Sequence, residues 1–163
     1  MKLPDSGERR QFESGAVRDI AHGKGRCDLM PLGVIGEWMS DDCLVYINEY
    51  LYTGEMTYLW KAFGTFQKRT ELNFYSCLLE VAKHFEDGAA KYGDRNWEKG
   101  IPVHCYIDSA VRHYLKFYRG DQDEPHDRAF MWNILCAMWT HENHPDLIDI
   151  PAYKTTKEEH ECK

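Results

Sequence analysis

The sequence predicts an all-α protein, a helical bundle of about four to five helices with an irregular N-terminal arm and an extended C-terminal tail. Apolar residues recur at steps of three and four along several stretches of the 163-residue chain, the spacing that places them on one helix face. No stretch alternates as a half-buried strand does. Glycines stand where helices should stop, at Gly54, Gly93 and Gly120. The length suits a single domain with its own core, needing no disulfide or metal staple. Within it, residues 1–14 read as a flexible arm, 15–143 as the helical core and 144–163 as the tail.

Each element follows from local chemistry. Residues 14–31, SGAVRDIAHGKGRCDLMP, are glycine-rich and charged, which argues for a loop. Two readings stand: a loose arm, or an arm folded over a ligand with Arg18, Lys24 and Arg26 facing anionic groups. From 32 to 52 the pattern is mixed but helical, with Ser40 or Asp41 able to cap CLVYINEYLY. A short helical piece follows through MTYLWKAFGTF. The clearest helix starts near Thr70, with Leu72, Tyr75, Leu79, Ala82, Phe85 and Ala89 as its inward stripe. Asp108 is expected to cap the next helix, whose stripe is Ala110, Val111, Tyr114, Leu115 and Tyr118. DQDEP is a turn. The last helix runs from about 126 to 141 and is apolar over much of its circumference, which places it centrally or at an oligomer interface.

Composition narrows the function. A net charge of -7 disfavours long nucleic acid as a partner but leaves a nucleotide open. No stretch is long enough to span a membrane. Six cysteines are present without CxxC spacing, and MKLPDSGERRQF lacks an apolar leader. The expectation is a cytoplasmic protein with reduced thiols.

Three clusters could carry chemistry. The loop KYGDRNWEKG offers cations (Lys91, Arg95, Lys99), an amide able to read a base edge (Asn96) and aromatic faces (Tyr92, Trp97). The alternative is a helix-ending loop with solvated charges and a tryptophan anchored in the core. In DSAVRH, Asp108 and Arg112 share a helix face, and His113 lies one step round. DQDEPHD gathers four carboxylates and a histidine; Asp123, Glu124 and His126 could hold a hard cation, and Glu124 with Asp127 forms an ExxD pair. The alternative there is an acidic helix start favoured by the helix dipole. Glu80, at the edge of the inward stripe, could project between helices.

The ordered blocks SGAVRD…GKGRCDLMP, GAAKYGDRNWEKGIP and DSAVRHYLKFYRGDQDE, followed by His126, Trp132 and Asn133, resemble the dATP/dGTP diphosphohydrolase N-terminal family of phages and bacteria. Through it the chain looks similar to the all-α MazG-type nucleotide pyrophosphohydrolases. The resemblance covers roughly 14–33 and 76–140. It implies a MazG-like bundle and hydrolysis of a deoxynucleoside triphosphate, purine favoured, to the monophosphate and pyrophosphate with Mg²⁺ or Mn²⁺. It implies metal ligands among Glu80, Asp123, Glu124 and Asp127, with His113, His126 and Glu124 orienting water or a phosphate. Lys91, Arg95 and Arg112 would meet the phosphates, and Asn96 and Trp97 the base or sugar. It also implies a homo-oligomer. Two departures stand out. The paired ExxE is missing, since Lys83 follows Glu80 and Ala89 follows Glu86, and Ala129 stands where the family has histidine. Two rival readings are a module that binds nucleotide without turnover and a different metal phosphohydrolase using the RH…DE.H residues, with two histidines on the metal. A third is a partner-binding protein built on the insert at 34–75.

Overall fold

The computed structural model describes residues 7–153. Its elements are β1 (Arg9–Gln11), β2 (Val17–Asp19), α1 (Leu32–Met39), α2 (Asp42–Thr53), α3 (Thr57–Arg69), α4 (Phe74–Tyr92), α5 (Val103–Arg119) and α6 (His126–Asn143). Single 3₁₀ turns cover Cys27–Leu29, Asn96–Lys99 and Pro145–Leu147. The protein is all-α but for one antiparallel pair, β1 with β2, in the register Arg9↔Asp19, Arg10↔Arg18 and Gln11↔Val17. Residues 9–11, expected to be loose, are therefore a paired strand; residues 1–6 of the expected arm lie outside the described residues. Strands of three residues, Arg-Arg-Gln and Val-Arg-Asp, are too short to show an alternation.

The five expected helices are present as α2 to α6, and the stretch expected to be helical from 32 to 52 is two helices, α1 and α2. Helix α1 separates from α2 at Ser40, which takes φ 54, and Asp41 supplies the cap. The Asp41 carboxylate accepts from the N–H of Cys43 at 3.1 Å and of Leu44 at 3.4 Å. The α1–α2 turn is tight, because a Cβ on Gly36 would meet the Val45 backbone nitrogen at 2.9 Å.

Helix α4 starts at Phe74, with Asn73 accepting from Ser76 N–H at 2.9 Å. The first part of its expected inward stripe faces outward, with Tyr75 78% and Leu79 69% exposed, while Phe85 packs against the core. The buried line is Cys77, Val81 and His84. This face carries a histidine and then Gly88 because it walls a cavity, so hydrophobicity alone marks the wrong side.

Helix α5 starts five positions before Asp108, directly after Pro102, and Asp108 sits inside it. A cap arrives from the tail instead, where Asp149 accepts from His104 N–H at 3.0 Å. Helix α6 is central, packing on α3, α4 and α5. The Phe130 ring lies 4.4 Å from Phe66 and 5.5 Å from Tyr114 between centroids. The tail is packed as far as Tyr153, with Ile148 and Ile150 buried; residues 154–163, Cys162 among them, lie outside the described residues. Cys27, Cys43, Cys77, Cys105 and Cys136 are free and buried. No helix among the described residues is long and apolar enough to cross a membrane.

Candidate active site

A cavity of about 750 Å³ opens between the β2 segment, α4, the 96–99 turn, α5 and the start of α6. That volume suits a small molecule of nucleotide size. The arm is folded over it and locked there by side chains. The Asn96 Oδ1 accepts from Val17 N–H and its Nδ2 donates to Val17 O, both at 2.9 Å, so the amide acts as a strand partner. Lys91 Nζ pairs with Asp19 at 2.7 Å, and the Tyr92 hydroxyl donates to Asp19 at 2.9 Å. Arg18 donates to Cys105 O at 3.2 Å, Ser109 Oγ at 3.3 Å and Asn133 Oδ1 at 2.9 Å. Its guanidinium also lies 5.0 Å from the Tyr106 ring centroid.

At one end of the cavity, α5 presents His113, the turn presents Asp123 and Glu124, and α6 begins with His126. His113 Nδ1 lies 3.0 Å from His126 Nδ1, and Glu124 Oε1 lies 3.5 Å from the first and 3.7 Å from the second. His126 Nε2 is 2.8 Å from Asp123 Oδ1. If Nε2–H donates to that carboxylate, the His126 Nδ1 lone pair faces His113 and Glu124, as in metal sites where a carboxylate orients the ligand. Burial and the neighbouring His126 push the His113 pKa well below its ordinary value. Burial raises the Glu124 pKa. The bond from Lys116, then that from His126, holds Asp123 down at about 2.

The ligand atoms of His113, Glu124 and His126 all lie within 4.8 Å of one another, and those of Asp121, Asp123 and His126 form a second such group. The first group fits a divalent ion better. Asp121 is tied to Arg119 and Asp123 to Lys116, whereas the first group is inner and less committed. Two imidazoles and a carboxylate suit Mn²⁺ and later divalent ions more than Mg²⁺, which prefers oxygen.

The other expected site residues divide. Lys24, Arg95 and Trp97 line the cavity beside those already placed. Arg112 also lines it, but its guanidinium is bound to Asp108 and donates to Lys24 O at 3.1 Å and Gly25 O at 3.3 Å. Asn96 is spent on Val17. Trp97 packs edge-on against Phe85 at 5.4 Å and Trp139 at 4.9 Å, an anchor to the core. Four residues are not brought there. Glu80 pairs with Lys83 on α4, Arg26 pairs with Asp28, Lys99 is exposed on the 3₁₀ turn, and Asp127 is in neither ligand group. The ExxD spacing thus delivers Glu124 without Asp127, because Glu124 precedes the helix and its partner has already turned away. Asp19, His84 and Lys116 border the cavity without having stood out in the sequence, and Asn133, quoted there only for the resemblance, borders it too. The signal that could have found His84 is a lone imidazole on an apolar helix.

A family model described as dATP/dGTP diphosphohydrolase, N-terminal, matches residues 61–150, from the start of α3 into the packed tail. No curated protein and no solved structure matches the chain.

Proposed function

The chain belongs to the dATP/dGTP diphosphohydrolase N-terminal family, and from that premise we propose that it is a metal-dependent hydrolase of purine deoxynucleoside triphosphates. Water attacks the α-phosphorus, the bond from it to the bridging oxygen breaks, and the products are the monophosphate and pyrophosphate with release of a proton. The observation that carries this reading is a nucleotide-sized cavity lined by Lys24, Lys91, Arg112 and Lys116 with the His113–Glu124–His126 group at its end; the two histidines in that group also favour the reading of a different metal phosphohydrolase.

His113, Glu124 and His126 would hold the divalent ion. When bound, it supplies charge to the phosphate oxygens and acidifies water. Asp123 fixes the His126 ring, and Lys116 holds Asp123 at 2.7 Å. Lys24 has no side-chain hydrogen bond among the described residues, and burial lowers its pKa first of all. It is the cation with the fewest prior commitments and the one best placed to meet a phosphate. Arg18, Arg112 and Lys91 act mainly by keeping the arm closed.

One observation favours another reading. Glu80 is engaged with Lys83 away from the cavity, which leaves Glu124 as the one carboxylate in the group with His113 and His126. A module that binds nucleotide without turnover would have this form. The exposed apolar side chains Trp38, Tyr75 and Leu79 support self-association. The proposed setting is the cytoplasm of a phage-infected or bacterial cell.

The test is incubation of the purified protein with each deoxynucleoside triphosphate and Mn²⁺ or Mg²⁺, following pyrophosphate. Release with purine substrates supports hydrolysis. Thermal stabilisation by nucleotide without release supports the binding module. Neither effect with any nucleotide defeats both.

A further inference from the structure

The wall of the cavity made by α4 and α6 leaves polar atoms unpaired. His84 Nδ1 and Trp132 Nε1 are buried without a hydrogen-bond partner among the described residues, and both residues line the cavity. Their ring centroids are 5.3 Å apart. His84 is 7% exposed. A buried polar group left unpaired costs roughly 1–3 kcal/mol, and such groups are rare enough in folded proteins to need a reason. A ligand with matching atoms supplies one.

The shape beside them suits a flat ring. Phe85 stands 5.8 Å from Trp132, edge to face. One turn along α4, Gly88 also lines the cavity, and a Cβ there would meet nothing within 4 Å. Space is left where a side chain would otherwise fill it. Asn96 and Trp97, the residues the sequence suggests for base recognition, are occupied by Val17 and by the core.

Resting on the hydrolase reading above, we propose that His84 and Trp132 read the Hoogsteen edge of a purine base. Trp132 Nε1–H donates to N7. His84 Nδ1 takes the substituent on C6. Burial holds the imidazole neutral, with its pKa lowered to about 4. A neutral imidazole nitrogen is a donor or an acceptor according to tautomer. It therefore donates to O6 of guanine in one tautomer and accepts from N6–H of adenine in the other. The pair admits both purines, and pyrimidines, which lack N7, lose the tryptophan bond.

The experiment uses ligands this reaction does not cleave. Binding of dGMP, dAMP, their 7-deaza analogues, 2-deoxyribose 5-phosphate and tripolyphosphate to the full chain is measured by calorimetry with Mn²⁺ present. Each parent purine is expected to bind about tenfold or more tightly than its 7-deaza analogue, the value of one good base-edge hydrogen bond. Trp132→Phe keeps the ring and removes the donor, and should bind parent and analogue alike. Equal binding of parent and analogue by the native protein overturns the proposal, as does a tenfold gap that survives in Trp132→Phe. If that variant does not fold by circular dichroism, His84→Gln is compared on the ratio of dGMP to 2-deoxyribose 5-phosphate, which should fall; an unchanged ratio overturns the proposal. Tight tripolyphosphate binding with no contribution from the base sinks the base subsite and spares the hydrolase reading. No binding of any phosphate compound sinks both.

Discussion

The side-chain amide of Asn96 bonds both backbone groups of Val17, at 2.9 Å each. A loop residue thereby completes the hydrogen bonding of a strand 79 positions earlier. This joins the arm to the 96–99 turn through uncharged groups, beside the Lys91–Asp19 pair.

Asn96→Ala removes both bonds and strands the Val17 N–H and C=O. At about 0.5–1.5 kcal/mol per bond, the loss in stability should be about 1–3 kcal/mol by urea unfolding. Amide exchange should rise at Val17–Asp19 while α5 and α6 stay protected. Unchanged exchange at β2 would show that other contacts hold the arm.

Removing the carboxylate behind His126 should weaken the metal site without unfolding it. Asp123→Asn is expected to lower Mn²⁺ affinity by about 10–100-fold, with an unchanged circular dichroism spectrum. Asp127→Asn should leave the affinity as it is. Chelation by EDTA should abolish pyrophosphate release. Equal losses in both variants would move the site towards the ExxD pair.

Tail docking should depend on pH. The bond to Asp149, ahead of the Cys105 contact, raises the His104 pKa from its ordinary 6.5 to about 10. Burial alone would raise the Asp149 pKa, but the His104 bonds outweigh it and lower it. A raised folded pKa means that the stabilisation is complete below the unfolded value and is lost as pH climbs through the folded one. Solvent reaches about a third of each side chain, 30% and 35%, so screening trims the effect. Native protein should melt above Asp149→Asn at pH 6, with the gap closing towards pH 10. A gap constant over that range would remove the ion pair from the account.

Two glycines in helices should respond oppositely to alanine. Gly64 lies within α3, where a Cβ meets nothing within 4 Å, so Gly64→Ala should stabilise by about 0.5–1 kcal/mol. Gly36→Ala drives a Cβ to 2.9 Å from the Val45 backbone nitrogen and should destabilise. Urea midpoints measure both.

Helix existence was legible because α2 to α6 carry apolar residues at helical spacing and three of them, α2, α4 and α5, end at glycines. Helix faces and starts were not. On α4 the cavity side holds His84 and Gly88, and the outer side holds Tyr75 and Leu79, so the first turns of the apolar stripe point away from the core and only its end, at Phe85, packs on it. On α5 a proline starts the helix and a distant aspartate caps it, which makes Asp108 look like a cap it is not. The site was half legible. His113, Glu124 and His126 stand out by residue type, and the structure groups them. Asn96 and Trp97 look like ligand-reading groups, but residues far away in sequence claim them. Only packing reveals that His84 Nδ1 and Trp132 Nε1 lack a hydrogen-bond partner among the described residues.

Arg18 and Lys24 reach the cavity from ahead of residue 61, where the family match begins. The matched span provides floor and walls, and the segment before it provides the roof. The two parts meet through polar joints, at Asn96, Lys91, Tyr92 and Arg18, and through one core that takes in Ala16 and Cys27. Exposed roof residues such as Lys24 stand outside that core, so changing them alters what the chamber admits while the helices that hold His113 and His126 stay as they are.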